Sequence, residues 1–138
     1  MSTSDNSVDL SDRHVLVTGA SRGIGAAIAR RFGRLGASVA VNYCNSEDRA
    51  TEVVDAIRET PGTATAIRAD VSEPDQAATL VERSVEALGR LDTVVNSAGV
   101  CEPARIGELG DEAIDEVVDT NLKGAISSAA SRCRTSRR

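Results

Sequence analysis

The segment from Thr18 to Gly25, Thr-Gly-Ala-Ser-Arg-Gly-Ile-Gly, has the composition of a phosphate-binding turn. Glycine lets the backbone turn tightly and approach a pyrophosphate closely, and the N–H groups that open the following helix donate to phosphate oxygens. The spacing is Gly-x-x-x-Gly-x-Gly, which differs from Gly-x-Gly-x-x-Gly and lacks the Gly-Lys-Ser/Thr end of a Walker loop. A tight connection without a ligand is the alternative. The candidate binding residues in this turn are Gly19, Ser21, Arg22, Gly23, Ile24 and Gly25.

The elements that must position this turn are alternating strands and helices. Apolar runs typical of strands are separated by segments of helical period, a pattern that predicts βαβ units, an α/β fold and a parallel sheet. The glycine turn lies directly between the first strand and the first helix. The predicted strands cover residues 14–18, 38–43, 64–69 and 92–96.

The helices carry recognisable faces and ends. One face of the first helix is expected to be buried, and it carries Ile24, Ile28, Phe32 and Leu35. Gly36 and Gly89 are placed to end the first and third helices. Asn45 or Ser46 is expected to cap the second helix, and Ser72 the third. A later helix carries apolar positions from Ile114 to Leu122 at helical spacing.

Three further motifs follow the glycine turn in order. Asp70-Val71 comes after the third strand, Asn96-Ser97-Ala98-Gly99 after the fourth, and Asn121 in the helix beyond. Together with the glycine spacing, they resemble the short-chain dehydrogenase/reductase family over roughly residues 13–125. A serine stands where that family usually has a second asparagine. The resemblance implies a Rossmann-like, doubly wound parallel sheet with strand order 3-2-1-4, truncated after the fourth strand.

The resemblance also implies roles for these motifs. Asp70 is expected to accept a hydrogen bond from the adenine amino group, with Val71 flanking the ring. Asn96 is expected to brace the sheet, while Ala98 and Gly99 leave room for the nicotinamide ribose. The alternative for Asp70 is a turn former before a helix, and the alternative for the asparagine motif is an ordinary strand-end turn.

Cofactor choice depends on the end of the second strand, where a carboxylate would hold the ribose 2′-hydroxyl of NAD. No carboxylate occurs before Glu47, and Arg22 offers a planar cationic fork that suits a 2′-phosphate. We therefore predict NADP(H) in preference to NAD(H), with a solvated surface charge as the alternative for Arg22. The other residues expected around that phosphate are those from Asn42 to Ser46, with Asn42, Tyr43 and Ser46 as the candidate binding residues. Residues 42–47 look most like the 3-oxoacyl-carrier-protein reductase and glucose dehydrogenase branches.

Asn121 matches the family's catalytic asparagine, which holds water in a proton relay; a buried, satisfied amide is the alternative. The family's catalytic serine and Tyr-x-x-x-Lys pair have no match, because Tyr43 is followed at +4 by Glu47 and Lys123 has no suitable tyrosine before it. The resemblance implies an NADP-dependent oxidoreductase for carbonyl or hydroxyl substrates, catalytically incomplete in this chain. A non-catalytic dinucleotide-binding or interaction module and a defunct fragment are the alternatives.

Charge and periodicity divide the chain. All 21 acidic residues lie at or before Asp119, whereas four of the 16 basic residues fall within residues 132–138. We expect a disordered N-terminal segment at residues 1–12, an NAD(P)-binding domain at 13–126 and an irregular basic tail at 127–138. A frameshift would produce such a tail, and a Tyr-x-x-x-Lys in another reading frame would support that hypothesis. A genuine short protein is the alternative.

Composition excludes several function classes. The chain of 138 residues has a net charge of -5, one Phe, one Tyr and no Trp, which argues against partnership with nucleic acid or an anionic membrane. Its three cysteines lack disulfide or zinc spacing, and the one histidine, His14, lies at the far end of the first strand, so no metal site is expected. No secretory leader or membrane span is recognised, so we expect a cytoplasmic protein. An unpaired fourth strand predicts pairing with another chain, for instance as a homo-oligomer.

Overall fold

A computed structural model describes residues 8–101 and 103–135. Four parallel strands form one sheet in the order β3-β2-β1-β4, and a helix follows each of the first three strands. The strands are β1 (His14–Val17), β2 (Ser38–Tyr43), β3 (Thr63–Arg68) and β4 (Thr93–Val95). The helices are α1 (Gly23–Arg34), α2 (Glu47–Arg58), α3 (Pro74–Leu88), α4 (Asp111–Val117) and α5 (Gly124–Thr135), with a π-helical segment, Val118–Lys123, between the last two. The predicted Rossmann-like, doubly wound fold and its strand order are confirmed.

The sheet is buried on both faces at its centre. Val15 and Val17 of β1 belong to a core cluster with α1 and α2, whereas Leu16 between them belongs to a second cluster with α3. All three side chains are fully buried. A strand covered by helices on both sides needs a continuous apolar run rather than an alternating one, and β1 has that run.

The strand ends differ slightly from their predicted bounds. Strand β1 ends one residue before the predicted Thr18, and β4 excludes both predicted end residues, Asp92 and Asn96. Strand β3 begins and ends one residue earlier than expected. The side chain of Thr18 accepts hydrogen bonds from backbone N–H groups after β4. At the opposite end of the sheet, Asp92 accepts one from the N–H of His14. These side-chain bonds add to the backbone hydrogen bonds that join β1 and β4 at the same two ends, from Thr18 N–H to Val95 and from Asp92 N–H to His14.

The predicted face of α1 is only partly buried: Ile28 and Phe32 pack against the core, but Ile24 does not. Ile24 is 76% exposed, and the buried side chains are the small ones of Ala26 and Ala29, beside Gly25 and Gly33. A Cβ on Gly33 would lie 2.7 Å from Ile57 Cγ2, so α1 and α2 approach too closely for larger residues along this face. The larger apolar residues of α1 pack at the edge of the core or, like Ile24, remain outside it.

The predicted C-terminal ends of α1 and α3 are confirmed, and one of the two predicted N-caps, that of α2, is confirmed. Gly36 and Gly89 follow α1 and α3 with φ values of 91° and 87°. Ser46 is the N-cap of α2 but makes no capping hydrogen bond with its side chain. The N-cap of α3 is Glu73 rather than Ser72, because the hydroxyl of Ser72 donates to Asp70 instead. Within the ranges described, no helix is long and apolar enough to cross a membrane.

The predicted irregular tail is wrong for residues 127–135, which form most of α5. Gly124, Ser128 and Ser131 lie on the buried face of this helix, and the helix packs against α3. Small polar side chains allow this close packing although they produce no apolar period in the sequence. Two polar atoms, Ser128 Oγ and Arg132 Nε, are buried there without a hydrogen-bond partner among the described residues. Residues 136–138 lie outside the described residues.

The predicted disordered start is wrong from residue 8 onwards. The N–H of Leu10 donates to the carbonyl of Leu35 at 2.8 Å, and the Leu10 side chain packs against the core. The N–H of Arg13 donates back to Leu10 at 2.9 Å, which closes a turn before β1. Residues 1–7 lie outside the described residues.

Asp92 joins the first and last strands at the end of the sheet where both begin. Its Oδ2 accepts from the N–H of His14 at 2.9 Å, and its Oδ1 accepts from the hydroxyl of Thr93 at 2.9 Å. Partial burial raises the pKa of Asp92, but these two hydrogen bonds and the positive charge of Arg13 outweigh it, so the pKa lies below the ordinary value of 3.8. His14 therefore has Asp92 as a structural partner, at the end of β1 that lies opposite the glycine turn.

Replacement of Asp92 should make stability depend less on pH. A carboxyl with a lowered folded-state pKa stabilises the fold above its ordinary pKa, and that stabilisation is lost as pH falls through the folded-state value. We expect Asp92→Asn to lower the free energy of unfolding by about 1 kcal/mol at pH 7, with the difference narrowing below about pH 4. Urea denaturation at several pH values measures this. Asp12→Asn, at an exposed carboxyl, is the control, and an equal loss at acid and neutral pH would contradict the expectation.

Removal of the unpartnered hydroxyl in α5 should stabilise the chain. Ser128 Oγ is buried without a partner, so its desolvation has no compensating hydrogen bond. We expect Ser128→Ala to raise the free energy of unfolding by about 1 kcal/mol. The matched control is Ser84→Ala on α3, which removes an equally buried hydroxyl that donates to Leu80 at 2.7 Å. An equal or larger gain from the control would show that the missing partner is not the cause.

Candidate dinucleotide site

A cavity of about 620 Å³ opens where the carboxyl ends of the strands meet. Ligands of open α/β sheets bind at this edge, beside the point where the strand order reverses. In this sheet the reversal lies between β1 and β4, and the walls come from the turns after all four strands. The predicted residues that line the cavity are Gly19, Ser21, Arg22, Gly23, Ile24, Gly25, Asn42, Ser46, Asp70, Val71, Ala98 and Gly99.

The glycine turn is held by close backbone contacts. Gly19 has a φ of 59°, and a Cβ placed on it would lie 2.7 Å from the Cα of Ala98. A Cβ on Gly25 would collide with the carbonyl of Gly19. Neither position has room for a side chain, so the backbone itself forms this wall. The turn therefore has the bare surface that close approach of a pyrophosphate requires.

The N-terminus of α1 faces the same cavity and gives it a positive character. The first N–H groups of a helix have no partner within it, and its dipole favours an anion at that end. The first turn of α1 contains no acidic residue. Arg22, just before the helix, lines the cavity with an exposed side chain, and no ion pair between the described residues involves it. The guanidinium is thus available to an anionic ligand.

Two residues predicted beside the 2′-phosphate are placed differently. Tyr43 is buried in the core cluster below α1 and α2 and does not line the cavity. Asn42 lines the cavity, but its amide faces the protein, with Oδ1 accepting from Gly19 and Nδ2 donating to backbone carbonyls. Successive side chains of a strand point to opposite faces, so consecutive residues of β2 cannot contact the same ligand.

The end of β2 contributes no negative charge to the cavity wall. Cys44 and Asn45 line it together with Ser46, while the first carboxylate, Glu47, begins α2 and is not part of the wall. Burial raises the pKa of the Cys44 thiol, the negative charge of Asp70 raises it further, and Arg68 opposes both. The thiol therefore stays neutral at pH 7, and the end of β2 itself adds no negative charge that would repel a phosphate.

Asp70 has both a structural contact and a free oxygen. Its Oδ1 accepts from the N–H and the hydroxyl of Ser72, at 3.0 and 2.6 Å, which forms a side-chain turn before α3. Its own N–H donates to Gln76 Oε1 at 2.8 Å. Oδ2 makes no hydrogen bond to any residue in the part of the chain that is described. The turn-forming role is thus present, and one carboxylate oxygen remains for a ligand.

Thr18 connects the glycine turn with the turn after β4. Its Oγ1 accepts from the N–H groups of Ser97 and Ala98, at 3.0 and 3.1 Å. Asn96 does not line the cavity; its side chain is exposed, and Nδ2 lies 3.5 Å from the carbonyl of Ala125. The described contact therefore joins the end of β4 to α5 rather than bracing the neighbouring strands.

Asn121 lies in the π-helical segment and holds the loop that follows Gly99. Its Oδ1 accepts from the N–H of Val100 at 2.8 Å, and its Nδ2 donates to the carbonyl of the same residue at 2.9 Å. A Cβ on Gly99 would lie 3.3 Å from that Oδ1. The side chain thus pairs with one backbone residue at both of its polar groups. Short π-helical segments frequently occur at functional sites.

Several wall residues were not assigned to the site from the sequence. They are Ala69, Ser72, Ser97, Val100, Glu116 and Thr120. Most are immediate neighbours of predicted residues and would follow from extending each motif by one position. Glu116 and Thr120 come from the helical run that returns over the cavity, and no sequence motif marks that return. The described part of the chain contains no group of three or more potential metal-ligating side chains.

A comparison with known protein families shows which family this chain resembles. A family model described as short chain dehydrogenase matches residues 13–135. An uncharacterised oxidoreductase from Methylorubrum extorquens is 46% identical over 117 residues, which cover 85% of this chain and 47% of that protein. Versicolorin reductase from Emericella nidulans is 43% identical over 124 residues, covering 90% of this chain and 47% of that protein.

Solved structures agree with the sequence relatives. A short-chain dehydrogenase from Burkholderia cenocepacia, crystallised in complex with NADP, is similar with a TM-score of 0.87 and 38% identity, covering 94% of this chain and 52% of that one. A dehydrogenase/reductase from Sinorhizobium meliloti has a TM-score of 0.89 and 41% identity, with coverage of 93% and 51%. The chain spans about half the length of these relatives. By its sequence and its fold, the chain belongs to the short-chain dehydrogenase/reductase family.

Proposed function

We propose that the chain binds NADP(H) and is the nucleotide-binding half of an oxidoreductase that acts on carbonyl or hydroxyl substrates. The observation that carries this proposal is the charge and shape of the cavity. A bare glycine turn lies at the N-terminus of α1, Arg22 has no carboxylate partner among the described residues, and no carboxylate from the end of β2 lines the wall. The NADP complex of the related Burkholderia cenocepacia enzyme supports the choice of ligand class.

The residues present fit a dinucleotide phosphate. The missing side chains at Gly19 and Gly25 let the turn pack closely against the protein, and the backbone of both residues lines the cavity where the pyrophosphate would lie. Arg22 would pair with the 2′-phosphate, with the neutral Cys44 and Ser46 beside it. Asp70 Oδ2 would accept from the adenine amino group, with Val71 against the ring. Ala98 and Gly99 would leave space for the nicotinamide ribose.

When bound, the nicotinamide supplies the hydride that such an oxidoreductase transfers. The chain's own part is to hold the ring and its ribose against the turn after β4. Asn121 fixes that turn through Val100, and we assign it the further role of holding water for proton transfer. Both polar groups of the Asn121 side chain bind the backbone of Val100, so the position of the π-helical segment depends on the loop that follows Gly99.

The family's Tyr-x-x-x-Lys pair has no match in the given sequence. Its one tyrosine, Tyr43, is buried in the core, and its one lysine, Lys123, forms an ion pair with Asp119 at 2.9 Å. We therefore propose that this chain by itself is catalytically incomplete. The same observation favours a second candidate, a dinucleotide-binding module that does not turn over substrate.

One experiment distinguishes the two candidates. NADPH fluorescence measured on titration of the purified chain reports binding, and NADPH consumption with a panel of small ketones and aldehydes reports turnover. Binding with turnover supports the oxidoreductase, and binding without turnover supports the module. Absence of both would indicate a defunct fragment and overturn the proposal.

Reversal of the charge at Arg22 should remove the preference for the phosphorylated cofactor. The hydrogen-bonded pair of a guanidinium and a phosphate is a strong charge-assisted interaction, and a carboxylate at the same place favours a ribose 2′-hydroxyl instead. We expect Arg22→Glu to lower the ratio of NADPH to NADH affinity by at least about tenfold. Fluorescence titrations with both cofactors measure the ratio.

The matched control for this prediction is Arg34→Glu. Arg34 is exposed and lies at the opposite end of α1, so the variant carries the same change of net charge far from the cavity. Its affinity ratio should stay within about twofold of the wild-type value, since exposed charges more than a Debye length away are largely screened. An unchanged ratio in Arg22→Glu would remove the basis for NADP(H) specificity.

A further inference from the structure

We propose that Asn42 is a positioning residue that holds the phosphate-binding turn and the adenine wall at the separation that one dinucleotide requires. The inference rests on the proposed function, because it concerns the same cavity. Asn42 is 2% exposed and comes from β2, which lies between the two walls in the sheet. Its contacts reach both of them.

On one side, Asn42 holds the glycine turn. Its Oδ1 accepts from the N–H of Gly19 at 3.1 Å, and its backbone carbonyl accepts from the N–H of Ala20 at 2.8 Å. The first two N–H groups of the turn are therefore directed into the protein. The later N–H groups, at the start of α1, remain for the ligand.

On the other side, Asn42 holds the chain that leads to Asp70. Its Nδ2 lies 3.1 Å from the carbonyl oxygen of Ile67 and 3.2 Å from that of Ala69. β3 ends at Arg68, so the contact with Ala69 extends the link between the strands to the residue directly before the adenine carboxylate. One primary amide thereby joins the two cofactor-binding walls.

The chemistry of the contact is specific to asparagine. The side chain must offer an acceptor towards Gly19 and a donor towards carbonyl oxygens, those of Ile67 and Ala69 and, at 3.3 Å, that of Tyr43. An aspartate has nearly the same shape, but its carboxylate would face the carbonyls of Ile67 and Ala69 without a donor. A site whose walls are held in the bound arrangement loses less free energy on binding than one that must be ordered by its ligand. Asn42 should thus affect affinity for a ligand that contacts both walls more than for one that contacts a single wall.

Two probes separate these cases. NADP⁺ spans the adenine wall and the glycine turn, which includes Arg22, whereas adenosine carries no phosphate and reaches the adenine wall alone. We expect Asn42→Asp and Asn42→Ser to lower NADP⁺ affinity about tenfold at pH 8, and adenosine affinity less than about threefold. Isothermal titration calorimetry on the full chain measures both constants.

The pH profile of Asn42→Asp provides a second readout. Burial raises the pKa of a carboxyl, so the introduced group should become protonated as pH falls and regain a donor towards the carbonyls. NADP⁺ affinity of this variant, divided by that of wild type at the same pH, should therefore recover between pH 8 and pH 5.5. The ionisable groups that face the cavity, Asp70, Cys44, Glu116 and Arg22, and the ligand phosphate are the same in both proteins, so their contributions cancel in the ratio. Asn42→Ser should show no recovery.

A purely structural role predicts a different result. Partial unfolding lowers the binding-competent fraction, which reduces the affinity for every ligand by the same factor. Val53→Ala, on the buried face of α2, is the control, and both probes should weaken equally in it. Equal weakening of both probes in the Asn42 variants, or no pH recovery, would overturn the positioning role while leaving the proposed function intact. A wild-type chain that binds neither probe would overturn both.

Discussion

The contact between the backbones of Gly19 and Ala98 is the constraint on which the rest of the site depends. It brings the ends of β1 and β4 so close that a single Cβ would lie 2.7 Å from the opposite Cα. Thr18 stabilises the approach through two backbone N–H groups of the second turn. Because the glycine turn is held there, α1 must begin at the mouth of the cavity, and its N-terminus faces the space left between the strand ends.

The electrostatics of the cavity follow from which residues the strand ends leave near it. The end of β2 contributes neutral groups to the cavity wall. Burial raises the pKa of the Cys44 thiol, so this thiol is also uncharged at pH 7. Arg22 has no carboxylate partner in the described chain, so its charge is directed to whatever enters the site. An exposed cation in a pocket with a helix N-terminus is the arrangement that phosphate groups prefer. Shape and charge therefore select the same class of ligand.

Much of the site could be predicted because its motifs lie at the carboxyl ends of strands, and parallel strands bring those ends to one edge. Asp70 and Ala98 were located in this way. The burial of Tyr43 in the core was not predicted, because a motif in the sequence does not show that neighbouring strand residues face opposite sides of the sheet. The burial of Ile24 was also predicted wrongly, because the close approach of α1 and α2 favours small residues that carry little hydrophobic signal. Helix α5 was missed for the same reason, because its buried face contains glycine and serine, which carry little hydrophobic signal.

The sequence by itself determined the order of elements, the position of the glycine turn and the family, because periodicity and glycine spacing are local properties of the chain. The tertiary structure alone decided which side chains join the walls of the site. Asn42 meets Gly19 across 23 positions and Ala69 across 27, and Thr18 meets Ala98 across 80. Such contacts depend on strand order and register, which place distant residues side by side and direct one amide inwards while its neighbour enters the core.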